Sequence, residues 1–171
     1  MNPTQAAVEE RLAAFEGGVG ALLVSSGQAA EFIALLNIAE AGDYIVSSPS
    51  RNGGTYNRFH YTLPKLGITV SFVDNPDAPA SWRAAVRPNT KAVFGETIAN
   101  PKNDILDIEA VAAVAHEVGV PLVVVHSATS SLPAPTTCRS SVACTATTAS
   151  WWKAISWGRS SAMPLGSVLG Q

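Results

Sequence analysis

Two short runs gather the residue types that could do chemistry. His126-Ser127-Ala128-Thr129-Ser130 follows the apolar stretch Leu122 to Val125, which reads as a buried strand. The carboxyl end of such a strand is where an open α/β sheet presents its ligands. Ser25-Ser26-Gly27-Gln28 lies between a second short strand, Ala21 to Val24, and an apolar helix. Backbone N–H groups without partners and the helix dipole suit that junction to a phosphate, although a Gly there more often serves the turn alone. Asn100-Pro101 by itself reads as a turn dipeptide. His60 and His116 fall on expected helices and read as surface or packing residues, not catalysts. Cys138 and Cys144 have no second Cys/His pair at zinc spacing. No metal cluster emerges, and spacing favours no Ser-His-Asp order.

These runs need a scaffold, and the chain alternates elements up to about residue 125. Thr4 is the expected N-cap of a helix carrying Val8, Leu12 and Phe15, stopped by Gly17-Gly18. After Ala21 to Val24 comes a helix from Gln28 to Ala41, ended by Gly42. Tyr44 to Ser47 reads as a strand, then a helix-like stretch runs from Thr55 to Leu66, with Pro64 as a kink or end. Ile68 to Val73 is a strand and Pro79 to Val86 a short helix. Lys91 to Gly95 is a strand, and Asp107 caps a helix running to Val118 before Leu122 to Val125 closes the series. Strands separated by helices argue for an α/β chain with a parallel sheet covered on both faces.

Composition bounds the rest. With 171 residues, 47% hydrophobic and 14% charged, the chain can build a core and does not read as disordered. A net charge of -2 gives no electrostatic reason to expect nucleic acid or an anionic membrane as partner. No apolar run approaches the roughly 20 residues of a membrane span. The N-terminus lacks the basic and apolar regions of a secretory signal, so a cytoplasmic location is the expectation. All thirteen acidic residues lie at or before Glu117, whereas the last 42 residues hold nine Ser and five Thr. That break divides the chain into 1–130 and a Ser/Thr-rich, acid-free tail, 131–171, without helical or alternating periodicity. The tail reads as disordered, or as sequence translated from a shifted frame.

Several segments together resemble one family. NPTQAAVEERLAAFEGG with SSGQAA, then GGTYN at 53–57, ETIANP at 96–101, LDIEAVAAVAHEVGVPL at 106–122 and HSAT at 126–129 occur in its order. Residues 2–130 are similar to the Cys/Met-metabolism family of pyridoxal-phosphate (PLP) enzymes, closest to its O-acetylhomoserine sulfhydrylase branch. The resemblance implies the large domain of PLP-transferase fold type I, here partial. It implies PLP as cofactor and a role in transsulfuration and methionine biosynthesis. By match of position, Gly27 and Gln28 would give backbone donors to the cofactor phosphate, Ser127 and Thr129 hydroxyls to the same cup, and Asn100 a contact to the phenolic oxygen. The family is homo-oligomeric and builds its site across a subunit interface, so a homologous subunit is a possible partner.

Departures from the pattern bear on activity. Ser130 stands where the family has the Schiff-base Lys, and a hydroxyl cannot form an imine. Asn52 replaces the Tyr that stacks on the pyridine ring. The V-D-N segment, whose Asp pairs with the ring nitrogen, is missing because Leu122 runs directly into VVVHSAT. Met1 falls inside the family's sequence, and the segment before it and the C-terminal domain have no counterpart here. The expectation is an inactive remnant without covalent PLP. Its alternatives are an interaction module on a full-length homologue, or a weak noncovalent PLP or phosphate binder.

Overall fold

The computed structural model describes residues 2–15, 18–51, 53–99 and 101–126, together with strands 142–145 and 153–157. Helix α1, Pro3–Phe15, begins with Pro at its first position, where a missing N–H costs nothing. Its cap is Asn2 and not the expected Thr4: Asn2 Oδ1 accepts from Thr4 N–H at 3.1 Å. Strand β1, Gly20–Val24, is tied back to α1 by Glu9, whose Oε1 accepts from Leu23 N–H at 2.8 Å.

Helix α2, Gly27–Ile38, stops three residues before the expected Ala41. Asp43 explains the early stop, since its Oδ2 takes the Glu40 N–H at 2.9 Å and its N–H donates to Glu40 O at 3.0 Å. Such a local side-chain turn competes with the helical ladder. Strand β2, Tyr44–Ser47, falls where the sequence placed it. The next helical stretch changes pitch: α3 is Gly53–Asn57, Arg58–Thr62 is a π-turn, and α4 is Leu63–Lys65. Leu63 N–H reaches back five residues to Arg58 O. Pro64 has no N–H and its ring crowds the carbonyl four residues back, which the widened turn relieves.

Strand β3, Thr69–Phe72, helix α5, Pro79–Ala85, and strand β4, Thr90–Glu96, follow. Helix α6, Ile108–Glu117, is capped as expected by Asp107, which accepts from Ala110 N–H at 3.0 Å. Strand β5, Leu122–His126, completes the alternating series. Two strands lie in the segment where the sequence shows no pattern: β6, Val142–Thr145, and β7, Lys153–Trp157. At four and five residues they are too short for a periodicity, and cross-strand pairing alone places them. The other residues of 131–171 lie outside the described ones.

One seven-stranded sheet results, in the order β1-β7-β6-β5-β4-β2-β3. Pairing is parallel throughout except that β7 runs against both β1 and β6. Alternation along each strand divides the core between two faces. Ile45, Phe94, Val123 and Val125 pack with Ala30, Ala34 and Leu35 of α2 and with Phe59 and Leu63 of the 53–65 stretch. Val46, Val93, Leu122 and Val124 pack with Trp82 of α5 and Val111, Val114 and Ala115 of α6. Gly95 lets the loop after β4 close on the sheet, because a Cβ there would lie 2.5 Å from Leu106 Cδ2. Among the described residues no helix is long and apolar enough to cross a membrane.

Candidate functional site

The Ser25–Gln28 run stands on the α2 face of the sheet, where β1 ends and α2 begins. Ser26 is extended and caps α2, its Oγ accepting from Ala29 N–H at 3.1 Å. Gly27 and Gln28 therefore open the helix, and their N–H groups belong to the first turn, which has no intrahelical acceptors. Positive dipole and N–H donors coincide at this point.

The Gln28 side chain does not extend over that end. It folds along α2, with Nε2 3.4 Å from both oxygens of Glu31. Its Oε1 lies against the start of α3, so close that a Cβ on Gly54 would stand 2.8 Å from it. Glycine at 54 is thus what allows the ends of α2 and α3 to sit side by side.

Below them is a buried ionic group. Glu31, 3% exposed, accepts from Thr55 Oγ1 and from Arg58 Nη1, each at 2.9 Å. The Arg58 guanidinium also lies 5.3 Å from the Phe32 ring centre. Burial pushes the Arg58 pKa below its ordinary value, and the Glu31 charge opposes that shift.

A second cation, Arg51, closes the side toward β3. Its Nη1 donates to the carbonyls of Ser48 and Pro49 at 2.9 and 2.7 Å, and its guanidinium stacks 3.6 Å from the Phe72 ring centre. Burial lowers its pKa, against the charges of Tyr56 and the buried Glu96 at the end of β4. His60 packs between Tyr56 and Phe72, at 3.9 and 4.9 Å between ring centres, and His116 is exposed. Both match the packing or surface role expected of them.

Strand β5 supplies no carboxylate to this face. Val123 and Val125 point to it, so Val125 is its last side chain there, and alternation turns His126 to the α6 face. Thr97 meets His126 on that side, its Oγ1 2.9 Å from His126 Nδ1 and 3.2 Å from Val125 O. The hydroxyl has one proton; given to Val125 O, it leaves His126 Nδ1–H as the donor to Thr97.

Of the residues singled out in the sequence, Gly27 and Gln28 stand at the α2 end as expected. Asn52, Asn100, Ser127, Thr129 and Ser130 lie outside the described residues. Glu31, Thr55, Arg58, Arg51 and Glu96 were not singled out. A lone acid in the apolar run AAEFIALLNI was the available signal, since a buried carboxylate requires a partner.

Among the described residues, the donors gathered here suit the phosphate end of a PLP molecule. The α2 N-terminus can receive its phosphate. On the α2 face the last β5 side chain is Val125, and where the resemblance places the Schiff-base Lys the sequence has Ser130. Lys65, Lys91 and Lys102 are all exposed.

The sequence profile described as Cys/Met metabolism PLP-dependent enzyme matches residues 1–139. An O-acetyl-L-homoserine sulfhydrylase of Corynebacterium glutamicum is 59% identical over 135 residues, 78% of this chain and 31% of that protein. One of Leptospira meyeri is 60% identical over 124 residues, 72% of this chain and 28% of that protein. The chain thus spans about a third of the length of these relatives. A crystal structure of an O-acetylhomoserine (thiol)-lyase from Campylobacter jejuni, carrying a pyridoxyl-lysine phosphate, superposes with a TM-score of 0.85 at 30% identity. That match covers 92% of this chain and 41% of the other. An O-acetylhomoserine sulfhydrylase of Wolinella succinogenes gives 0.81 at 33% identity, over 91% and 46% of the two chains.

Proposed function

The chain belongs to the Cys/Met-metabolism family of PLP-dependent enzymes, and from that premise we propose that it keeps the phosphate-holding part of the family's site without the groups for its chemistry. The observation that carries this reading is the pairing of an intact α2 N-terminus with a β5 that ends in Val125 on the same face. A phosphate needs N–H donors and a positive dipole, which Gly27 and Gln28 retain. Proton transfer at the substrate needs a base and an electron sink, which in the family depend on the Lys and on the Asp. Ser130 can neither form the link nor act as an amine base. The chain is then a noncovalent binder of pyridoxal phosphate, derived from a homocysteine-forming sulfhydrylase and without its turnover.

Titration with pyridoxal phosphate against pyridoxal tests it. The phosphate form is expected to bind reversibly and at least about tenfold more tightly, the scale of a few charge-assisted hydrogen bonds. Borohydride should leave no pyridoxyl group on the protein. A borohydride-fixed lysine adduct, or homocysteine formed from O-acetylhomoserine and sulfide, would overturn the reading.

A second reading is that the chain docks on a full-length homologue. Strand β1 is an edge of the sheet, and around it Phe15, Val19 and Leu22 are 71%, 51% and 42% exposed. An open edge beside apolar side chains favours association. Mixing with the Corynebacterium glutamicum sulfhydrylase should give a species that co-elutes in size exclusion. Separate elution, with this chain monomeric, counts against it.

A further inference from the structure

Glu31 sits in the second turn of α2, about 6 Å of helix rise from Gly27. A carboxylate that close to a helix N-terminus satisfies the dipole itself and repels a second anion arriving there. The site nevertheless keeps this acid, 3% exposed, and brings Arg58 to it at 2.9 Å from another helical segment 27 residues away. Thr55 adds a neutral hydrogen bond at 2.9 Å, and Gln28, itself at the helix start, leans on the same oxygens.

We propose that Arg58 is a positioning residue for anion binding: by neutralising Glu31 beneath the α2 N-terminus, it leaves the dipole and N–H groups of Gly27 and Gln28 available to a phosphate. The inference rests on the noncovalent phosphate reading above and adds the residue that controls it. A purely structural role is the rival, in which Arg58 and Glu31 merely pin α2 to the 53–65 stretch. Charge separates the two. Removing Arg58 leaves a buried negative charge under the phosphate position, whereas removing both charges destroys the pin and restores neutrality.

The test uses the whole chain and the variants Arg58→Met, Glu31→Gln and Glu31→Gln/Arg58→Met, with pyridoxal phosphate as probe and pyridoxal as control. Arg58→Met should weaken pyridoxal phosphate binding about tenfold and leave pyridoxal unchanged, the scale of one charge at a helix terminus. The double variant should return to within about threefold of the wild type. Arg58→Lys, which keeps the charge, should also bind near wild type. A double variant as weak as Arg58→Met, or an Arg58→Met that binds normally, overturns the proposal.

Thermal unfolding without ligand keeps the two readings apart. If the wild type fails to distinguish pyridoxal phosphate from pyridoxal, the phosphate reading has failed. Arg58→Met should still melt several degrees below the double variant, because an unbalanced buried carboxylate costs more than a neutral pair. Equal melting temperatures would show that Arg58 does not neutralise Glu31 and would sink this inference alone.

Discussion

Ser130→Lys is expected to restore at most the covalent attachment of pyridoxal phosphate and none of the sulfhydrylase turnover. A lysine amine can form the link that a hydroxyl cannot, so a borohydride-reducible pyridoxyl group at residue 130 is the most that this change can give. General acid–base work by such a lysine contributes about 10²–10⁴-fold in enzymes that use one, and it acts only when an electron sink is in place. On the reading proposed above, the sink is the missing element. Val125 is the last β5 side chain on the α2 face, and it is packed in the core with Val123, Phe94 and α2. A valine side chain can neither accept a hydrogen bond nor hold a proton. His126 is no substitute, because strand alternation sends it to the α6 face and Thr97 engages its Nδ1 at 2.9 Å. Homocysteine formation from O-acetylhomoserine and sulfide by the Ser130→Lys protein should therefore stay at the blank rate. Turnover above about 1% of the Corynebacterium glutamicum relative's would mean that another group supplies the acceptor, and the account of β5 would fall.

Trp82→Ala should be the most damaging single change to the fold. Trp82 is fully buried, packs under α5 among Tyr44, Val46, Val93 and Val111, and donates its indole N–H to Pro76 O at 2.9 Å. Helix α5 has only seven residues and Trp82 is its one fully buried side chain, helped only by partly buried Ala85 and by the exposed Arg83–Glu117 pair to α6. Truncating a buried Trp costs about 3–5 kcal/mol through lost transfer energy and the cavity left behind. Against a total stability of about 5–15 kcal/mol for a domain, that is about a fifth or more. The melting temperature should fall by about 10 °C, and the far-UV signal should be lost at correspondingly lower urea. Trp82→Phe keeps most of the volume and gives up the bond to Pro76, so it should cost less than half as much. A Trp82→Ala protein melting within about 2 °C of the wild type would show that α5 does not seal this face.

Much of the fold was legible because its signals are local. Tyr44–Ser47 and the Asp107 cap of α6 are where the sequence put them. The departures have local causes of another kind, a side chain competing for backbone donors. Asn2 captures the first turn in place of Thr4, Asp43 ends α2 early, and Pro64 converts an expected kink into the π-turn over Arg58–Thr62. Strands β6 and β7 were not legible, since four or five residues carry no period and their place is set by partners far along the chain.

The sequence by itself determined which chemistries are open. Residue type decides whether an imine can form, so Ser130 needs no coordinates, and the strand–Ser-Ser-Gly–helix junction offers a phosphate end that becomes specific only with its neighbouring segments. Tertiary structure alone decided direction and partnership. A one-residue step along β5 reverses which face a side chain meets, so only the register against β4 tells that Val125 and not His126 faces α2. Likewise Glu31 and Arg58 look unrelated at 27 residues apart, until the packing of two helical segments brings a buried acid and its cation to 2.9 Å. Chemical identity is written one residue at a time, whereas charge balance in a buried site is a property of neighbours that the chain brings together only when folded.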